Sequence, residues 1–129
     1  MSTFTPITKE PITHTQIVRY AGASGDFNPI HTVVPVAKKA GLPDVIAHGM
    51  LVMAVAGEAL TTWFPQEKIE AFSVRFQKMT FPGEVLTVKA FVKEEVGNRL
   101  TGEIIVVNTE DEKKLSGQFH VLLEEEDKC

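Results

Sequence analysis

The segment GDFNPIH, residues 25–31, places an acid, an amide, a proline and a histidine within seven residues. Asp26 and His31 are five positions apart, an offset that would put them on different faces of a helix. Pro29 disfavours helical geometry at Asn28, so we expect this segment to turn. A turn can aim the carboxylate and the imidazole into one cavity, where they can share a water or substrate proton. An isolated pair of this kind is more often a turn cap and a structural histidine.

A second segment of interest is AHGM, residues 47–50, directly before the most apolar helical stretch of the chain. The first turn of a helix offers free backbone N–H groups and the positive end of the helix dipole, which can stabilise a developing oxyanion. Gly49 has no side chain to block a thioester carbonyl. Taken alone, His48-Gly49 is better explained as a tight turn into the helix.

Three helices are predicted in the first half of the chain. Thr13 and Gln16 form a capping-box pair at the start of the first helix, and the helical pattern ends near residues 22–25. A short helical piece follows at residues 35–40. The third, at residues 49–63, is apolar on nearly every face and therefore suits a helix that other structure encloses.

The second half of the chain predicts β-structure. Apolar and polar residues alternate in four runs, at residues 72–76, 86–92, 100–109 and 115–123. Because the linkers look short, we expect a four-stranded antiparallel meander whose apolar face packs on the third helix. A sheet wrapped around one long helix is the α+β hot-dog architecture. We expect one such domain over residues 1–129, and pairing with a second copy to cover open strand edges.

Composition narrows the functional classes. Acids outnumber Lys and Arg by 17 to 13 and no basic block occurs, so nucleic acid is a poor partner. The longest apolar stretch, residues 50–56, is too short to span a membrane, and the N-terminus does not resemble a secretory signal. Cys129 cannot form an intrachain disulfide, which favours a reducing, cytoplasmic setting. The acidic run 124–127 is predicted to be a solvated tail.

No metal is expected, because the histidines are scattered without the spacing that is typical of ligands. They are His14, His31, His48 and His120.

Residues 20–60 resemble the MaoC-like dehydratase family, in particular its (R)-specific enoyl-CoA hydratases. The family pattern is an Asp, then Asn-Pro two residues later, an aliphatic residue, a His, and a His-Gly-Met at the head of the hot-dog helix. The matching residues here are Asp26, Asn28, Pro29, Ile30, His31, His48, Gly49 and Met50. The later segment FPGE, residues 81–84, is also similar to the family.

This resemblance implies a homodimeric enzyme that adds water reversibly across the double bond of a trans-2-enoyl thioester, giving the (R)-3-hydroxyacyl product. Asp26 and His31 would hold the water and exchange protons, and the Gly49 amide would receive the enolate-like oxygen. Asn28 would hold the loop in place. The substrate-binding positions would be Asn28, His48, Met50 and Met53. The reaction needs no cofactor, and the thioester carrier is either coenzyme A or an acyl carrier protein.

Two alternatives remain open. A hot-dog thioesterase usually has a second Gly after His-Gly and an acid nine positions after that His, where this chain has Met50 and Gly57. Glu58 comes one residue late, which rotates a helical side chain by about 100°. A non-catalytic acyl-thioester-binding subunit would be expected to lack the acid or the histidine, and this chain has both. Many family members have a Ser at the position of Gly57, so a helix hydroxyl is missing here.

Overall fold

The first helix, α1, covers His14–Ser24 in the computed structural model, which describes residues 4–123. Its N-cap is Thr13, whose Oγ1 accepts a hydrogen bond from the Gln16 N–H at 3.0 Å, as the capping-box pattern predicts. The helix ends at Gly25, where φ is 79°, a left-handed conformation that glycine adopts without strain. A 3-10 turn at Pro29–His31 and helix α2 at Val34–Lys39 follow.

Helix α3 covers Gly49–Trp63, the range that the sequence predicts. Its inner side packs in the core through six buried residues. They are Leu51, Val52, Val55, Ala56, Ala59 and Leu60. The predicted enclosure is incomplete in the single chain, because the stripe of Met50, Ala54 and Glu58 is exposed. Within residues 4–123, no helix is long and apolar enough to cross a membrane.

In the described part of the chain, five antiparallel strands form one sheet in the order β1-β3-β4-β5-β2. The strands are β1 Ile7–Thr8, β2 Ile69–Phe76, β3 Thr87–Val96, β4 Arg99–Val107 and β5 Lys113–Leu122. Fully buried side chains from the three central strands, such as Val88, Ile104 and Phe119, share one core with α3. The chain thus has the predicted hot-dog architecture, with the sheet packed on a long helix.

The predicted strand order is wrong for β2. Strands β3, β4 and β5 form a meander, but β2 pairs with β5 at the far edge instead of with β3. The reason lies in residues 77–86, which are too long for a tight hairpin and cross the end of the sheet. The Gln77 N–H donates to the Lys114 carbonyl at 3.0 Å, and the Lys114 Nζ donates to the Met79 carbonyl at 2.8 Å. Strand β1 was not predicted, since two residues are too few for a periodic pattern.

Candidate active site

The loop after α1 is shaped by hydrogen bonds between neighbouring residues. The Asp26 N–H donates to Ser24 Oγ at 3.2 Å, and Asp26 Oδ1 accepts from the Asn28 N–H at 3.3 Å. Asn28 then caps the 3-10 turn, because its Oδ1 accepts from the Ile30 N–H at 3.2 Å. Pro29 occupies the first position of that turn, where its missing N–H costs nothing. The segment turns as predicted, and Asn28 holds it.

His31 is buried at the end of this turn, 8% exposed, and one hydrogen bond holds its ring at Nδ1. Nδ1–H donates to the Ile46 carbonyl at 2.7 Å, and because a carbonyl only accepts, Nε2 carries the free lone pair of the neutral ring. Nε2 lies 3.9 Å from Asp26 Oδ2. That separation is too long for a direct hydrogen bond, but one water oxygen can bond to both atoms.

His48 connects the two residues of this pair. Its side chain is buried, 3% exposed, and Nε2–H donates to the Asp26 backbone carbonyl at 3.1 Å. Its ring stacks on the His31 ring with centroids 3.8 Å apart and planes 19° apart. The Tyr20 ring also packs on it, at 4.9 Å. Nδ1 of His48 is buried and has no hydrogen-bond partner in the part of the chain that the structure describes.

Gly49 begins α3 one residue after this stack. Among residues 4–123 its N–H has no hydrogen-bond partner, as expected for the first residue of a helix. A Cβ at this position would lie 3.4 Å from the Phe76 ring, at van der Waals contact, so a side chain longer than that of alanine would press against this ring. A cavity of about 250 Å³ adjoins Gly49 and is lined in part by Val52, Phe76 and Met79.

The remaining predicted substrate-binding residues are more scattered. Met50 is 58% exposed on the first turn of α3, and Met53 is partly buried against the core. Neither lines the cavity beside Gly49. Contact of Asn28, His48, Met50 or Met53 with a substrate therefore stays a prediction.

Asp26, His31 and His48 each bring one potential metal-ligand atom within 4.8 Å of the others, a grouping that their sequence spacing conceals. The stacking works against joint coordination. A histidine nitrogen binds a metal through a lone pair that lies in the plane of the ring. One ion cannot lie in the planes of two rings that are nearly parallel and stacked face to face. Each ring is also tied to a backbone carbonyl, at 2.7 Å for His31 and 3.1 Å for His48. The expectation of no metal remains a prediction.

A second buried polar cluster lies at the end of the sheet. The Lys114 side chain is 3% exposed, and its Nζ lies 3.0 Å from Glu84 Oε1 and 3.7 Å from Glu112 Oε1. Asn108 Nδ2 donates to the same two carboxylate oxygens at 2.8 and 2.9 Å. Burial raises the pKa of Glu84, but hydrogen bonds from Asn108, the Phe81 N–H and Lys114 outweigh it and leave that pKa lowered. Hydrogen bonds from Asn108 and Lys78 likewise lower the pKa of Glu112.

Sequence reasoning missed several contributors to these sites. Ile46 acts through its backbone carbonyl, which no side-chain pattern reveals. Tyr20 is recognisable only as an apolar position on α1. Thr80 lines the cavity beside Gly49 and has a buried hydroxyl that finds no hydrogen-bond partner among the described residues, yet its sequence context suggests only a loop.

The fold and the site define a class: a hot-dog protein with a carboxylate–imidazole pair beside the first turn of its central helix. The family profile for the MaoC like domain matches residues 3–115. The chain therefore belongs to the MaoC-like family.

Three relatives illustrate its place in that family. The R-hydratase PhaJ1 of Pseudomonas aeruginosa, in its unliganded form, is 27% identical with a TM-score of 0.84, over 94% of this chain and 79% of that chain. The 3-hydroxyacyl-thioester dehydratase X of Mycobacterium tuberculosis is 46% identical over 67 residues, which are 52% of this chain and 23% of that protein. The fatty acid synthase beta subunit pkiC of Emericella nidulans is 36% identical over 106 residues, 79% of this chain but only 6% of that protein. The dehydratase and the synthase subunit are thus several times longer than the region that each shares with this chain.

Proposed function

We propose that the protein hydrates trans-2-enoyl thioesters reversibly to (R)-3-hydroxyacyl thioesters. Membership of a hydratase and dehydratase family supports the reaction class. The observation that carries the proposal is the 3.9 Å gap between His31 Nε2 and Asp26 Oδ2. One water lying beside these two proton acceptors can bond to both of them, and His48, which contacts both residues, directly precedes the Gly49 N–H at the start of α3.

In the proposed reaction, the water oxygen forms a bond to C3 of the substrate while its proton passes to His31 Nε2, the ring nitrogen with the free lone pair. The electrons of the C2=C3 double bond move toward the thioester oxygen, and the Gly49 N–H at the α3 N-terminus stabilises the negative charge that develops there. Collapse of this enolate takes a proton back from the Asp26–His31 pair onto C2. The net change is the addition of one water, and dehydration follows the same steps in reverse.

The proposed substrate is a thioester of coenzyme A or of an acyl carrier protein, and no step requires a metal or an organic cofactor. The half-exposed Asp26 carboxylate is open to a substrate, whereas the cavity beside Gly49 is lined by neither Asp26 nor His31. We place the protein in the cytoplasm, on the basis of its single cysteine.

A homodimer is part of the proposal. Strand β2 is an edge strand, so one side of its backbone is free to pair with another chain. Large apolar side chains are exposed on β2 and near the site. They are Phe27 at 68%, Met50 at 58%, Phe76 at 48% and Met79 at 51% exposure. A second copy on this face would cover them, and analytical ultracentrifugation would then find twice the 14.2 kDa chain mass.

The test is hydration of crotonyl-CoA, followed by the loss of ultraviolet absorbance of the conjugated enoyl thioester. Asp26→Asn and His31→Ala should each lower kcat by about 100- to 10,000-fold, because each removes one proton-transfer group. The melting temperature of Asp26→Asn should stay near wild type, since Asp26 is half exposed and an asparagine oxygen can still accept from the Asn28 N–H. His31→Ala removes a buried ring, so its rate is measured at a temperature where the variant is fully folded. His120→Gln, an exposed histidine on β5, is the matched control and should keep full activity. Near-wild-type rates in either site variant would refute the assignment.

The same assay separates the alternatives. Release of free thiol from crotonyl-CoA or a saturated acyl-CoA would indicate a thioesterase, and tight binding without either reaction would indicate a non-catalytic subunit. The contacts of Glu58 do not favour the thioesterase, because its carboxylate pairs with Lys9 on the exposed side of α3.

A further inference from the structure

His48 touches both members of the proposed catalytic pair, but in ways that differ from a substrate contact. Its ring is only 3% exposed, which leaves almost none of its surface for a substrate to touch. Its Nε2–H holds the Asp26 carbonyl at 3.1 Å and its face lies on the His31 ring at 3.8 Å. One side chain thus sets the position of both groups.

The two contacts restrain motions that other interactions leave free. The hydrogen bond from Nδ1 to the Ile46 carbonyl fixes one corner of the His31 ring, but the ring can still tilt about that corner. Stacking against the flat face of His48 prevents the tilt. The Asp26 loop is otherwise held by bonds within residues 24–30 and at its two ends, where the Gly25 N–H donates to the Ala21 carbonyl at 2.9 Å and the Ile46 N–H donates to the Ile30 carbonyl at 3.2 Å. The His48 bond fastens this loop to the start of α3.

The protonation state of His48 follows from its partners. Nε2 must carry a hydrogen, because it faces a carbonyl. Nδ1 is buried and faces no acceptor, so a second hydrogen there would be unsatisfied and would bring a buried charge. The neutral Nε2–H tautomer is therefore the form that fits. A neutral ring against His31 also avoids repulsion when His31 accepts the water proton, whereas a charged ring would oppose that step.

We propose that His48 is a positioning residue that holds His31 and Asp26 at the separation needed to share one water. This inference rests on the proposed hydratase function. It assigns His48 an action through the pair, in place of the substrate contact that the sequence resemblance implies.

Two variants divide the contacts of His48. His48→Phe keeps a flat ring against His31 and loses the donor to the Asp26 carbonyl, whereas His48→Gln keeps a donor near the Nε2 position and loses the stacked ring. Each should lower kcat for crotonyl-CoA hydration by about 100-fold with an unchanged KM, because displacement of a catalytic group by about 1 Å has an effect of that size. His120→Gln is again the matched control.

A double-variant comparison separates positioning from general destabilisation. In the Asp26→Asn background, His48→Phe should lower the remaining kcat by far less than in wild type, since half of the pair is already lost. If His48→Phe acts only by destabilising the protein, it should lower kcat by the same factor in wild type and in Asp26→Asn. That factor should equal the loss in the folded fraction of the protein. This result would overturn the proposal. Wild-type kcat in both His48 variants would overturn it too.

A measurement without substrate keeps the test independent of the proposed function. In ¹⁵N-labelled protein, the His31 ring nitrogens should give the pattern of one Nδ1–H tautomer in wild type, and averaged signals of a mobile ring in His48→Gln. If wild type hydrates no enoyl thioester, the hydratase proposal fails, while these spectra still decide whether His48 fixes the His31 ring. Unchanged His31 signals in His48→Gln would contradict the positioning role.

Discussion

Two buried polar clusters of this molecule differ in how completely their hydrogen bonds are satisfied. Around Lys114, the ammonium group lies 3.0 Å from Glu84 and donates to the Met79 carbonyl at 2.8 Å, while Asn108 bridges both carboxylates. Around His31, the Nε2 lone pair is free and the Asp26 carboxylate stops 3.9 Å short of it. Within residues 4–123, His48 Nδ1 has no hydrogen-bond partner.

This difference separates a structural cluster from a reactive one. Groups that satisfy one another hold chain segments together and have no bonding capacity left for a substrate. Polar groups with unused hydrogen-bonding capacity reduce stability. They can, however, bind a water molecule and accept a proton from it. We therefore expect substitutions at the Lys114 cluster to affect stability and substitutions at the His31 cluster to affect the reaction.

The largest effect on stability should come from Lys114→Met. Removing the ammonium leaves Glu84 partly buried without its cationic partner and releases the loop that carries Met79 from β5. We expect a loss of about 3–5 kcal/mol in the free energy of unfolding, as is typical when one partner of a buried ion pair is removed. Urea denaturation measures it. A loss as small as that of Asp26→Asn would remove the contrast between the two clusters.

Acid should weaken the Lys114 cluster in a predictable window. Because the folded-state pKa values of Glu84 and Glu112 are lowered, both groups add stability above their ordinary pKa of about 4.5, and that stability is lost as pH falls through the lowered values. Glu84→Gln should flatten the fall of the melting temperature below about pH 4.5. An equally steep acid transition in this variant would show that other carboxylates are responsible.

The smallest effect should come from Gly57, which lies on α3 away from both clusters. A Cβ there would contact the Phe72 ring at 3.6 Å, an ordinary packing distance. Gly57→Ala should therefore raise stability by about 0.5–1 kcal/mol through the better helix propensity of alanine. Calorimetry measures the gain. Destabilisation would mean that β2 packs on α3 more tightly than the Phe72 contact indicates.

The features that sequence alone predicts are local ones. Hydrophobic continuity gives the bounds of α3, and the Thr13–Gln16 pair gives the start of α1. The turn around Asn28 follows from the backbone restrictions of Pro29. Each of these features depends on interactions between residues that are close in the sequence. A short segment therefore contains the information that determines it.

The features that sequence missed depend on distant pairing. The position of β2 beside β5 depends on where residues 77–86 cross the sheet. Lys114 adjoins a polar turn and would be placed on the surface, but its partners Glu84 and Met79 come from that crossing segment. The stack of His48 on His31 likewise arises only when the start of α3 meets the loop after α1. The predicted acidic tail at residues 124–127 lies outside the described residues.

The central claim is that Asp26 and His31 act together on one water. A double-mutant cycle tests it most directly: kcat/KM for crotonyl-CoA hydration is measured for wild type, Asp26→Asn, His31→Ala and the double variant, all folded as judged by their melting temperatures. Since each single variant already disables the shared water, the double variant should be about as slow as the slower single variant. Losses that multiply in the double variant would mean that the two residues act independently, and would contradict the account.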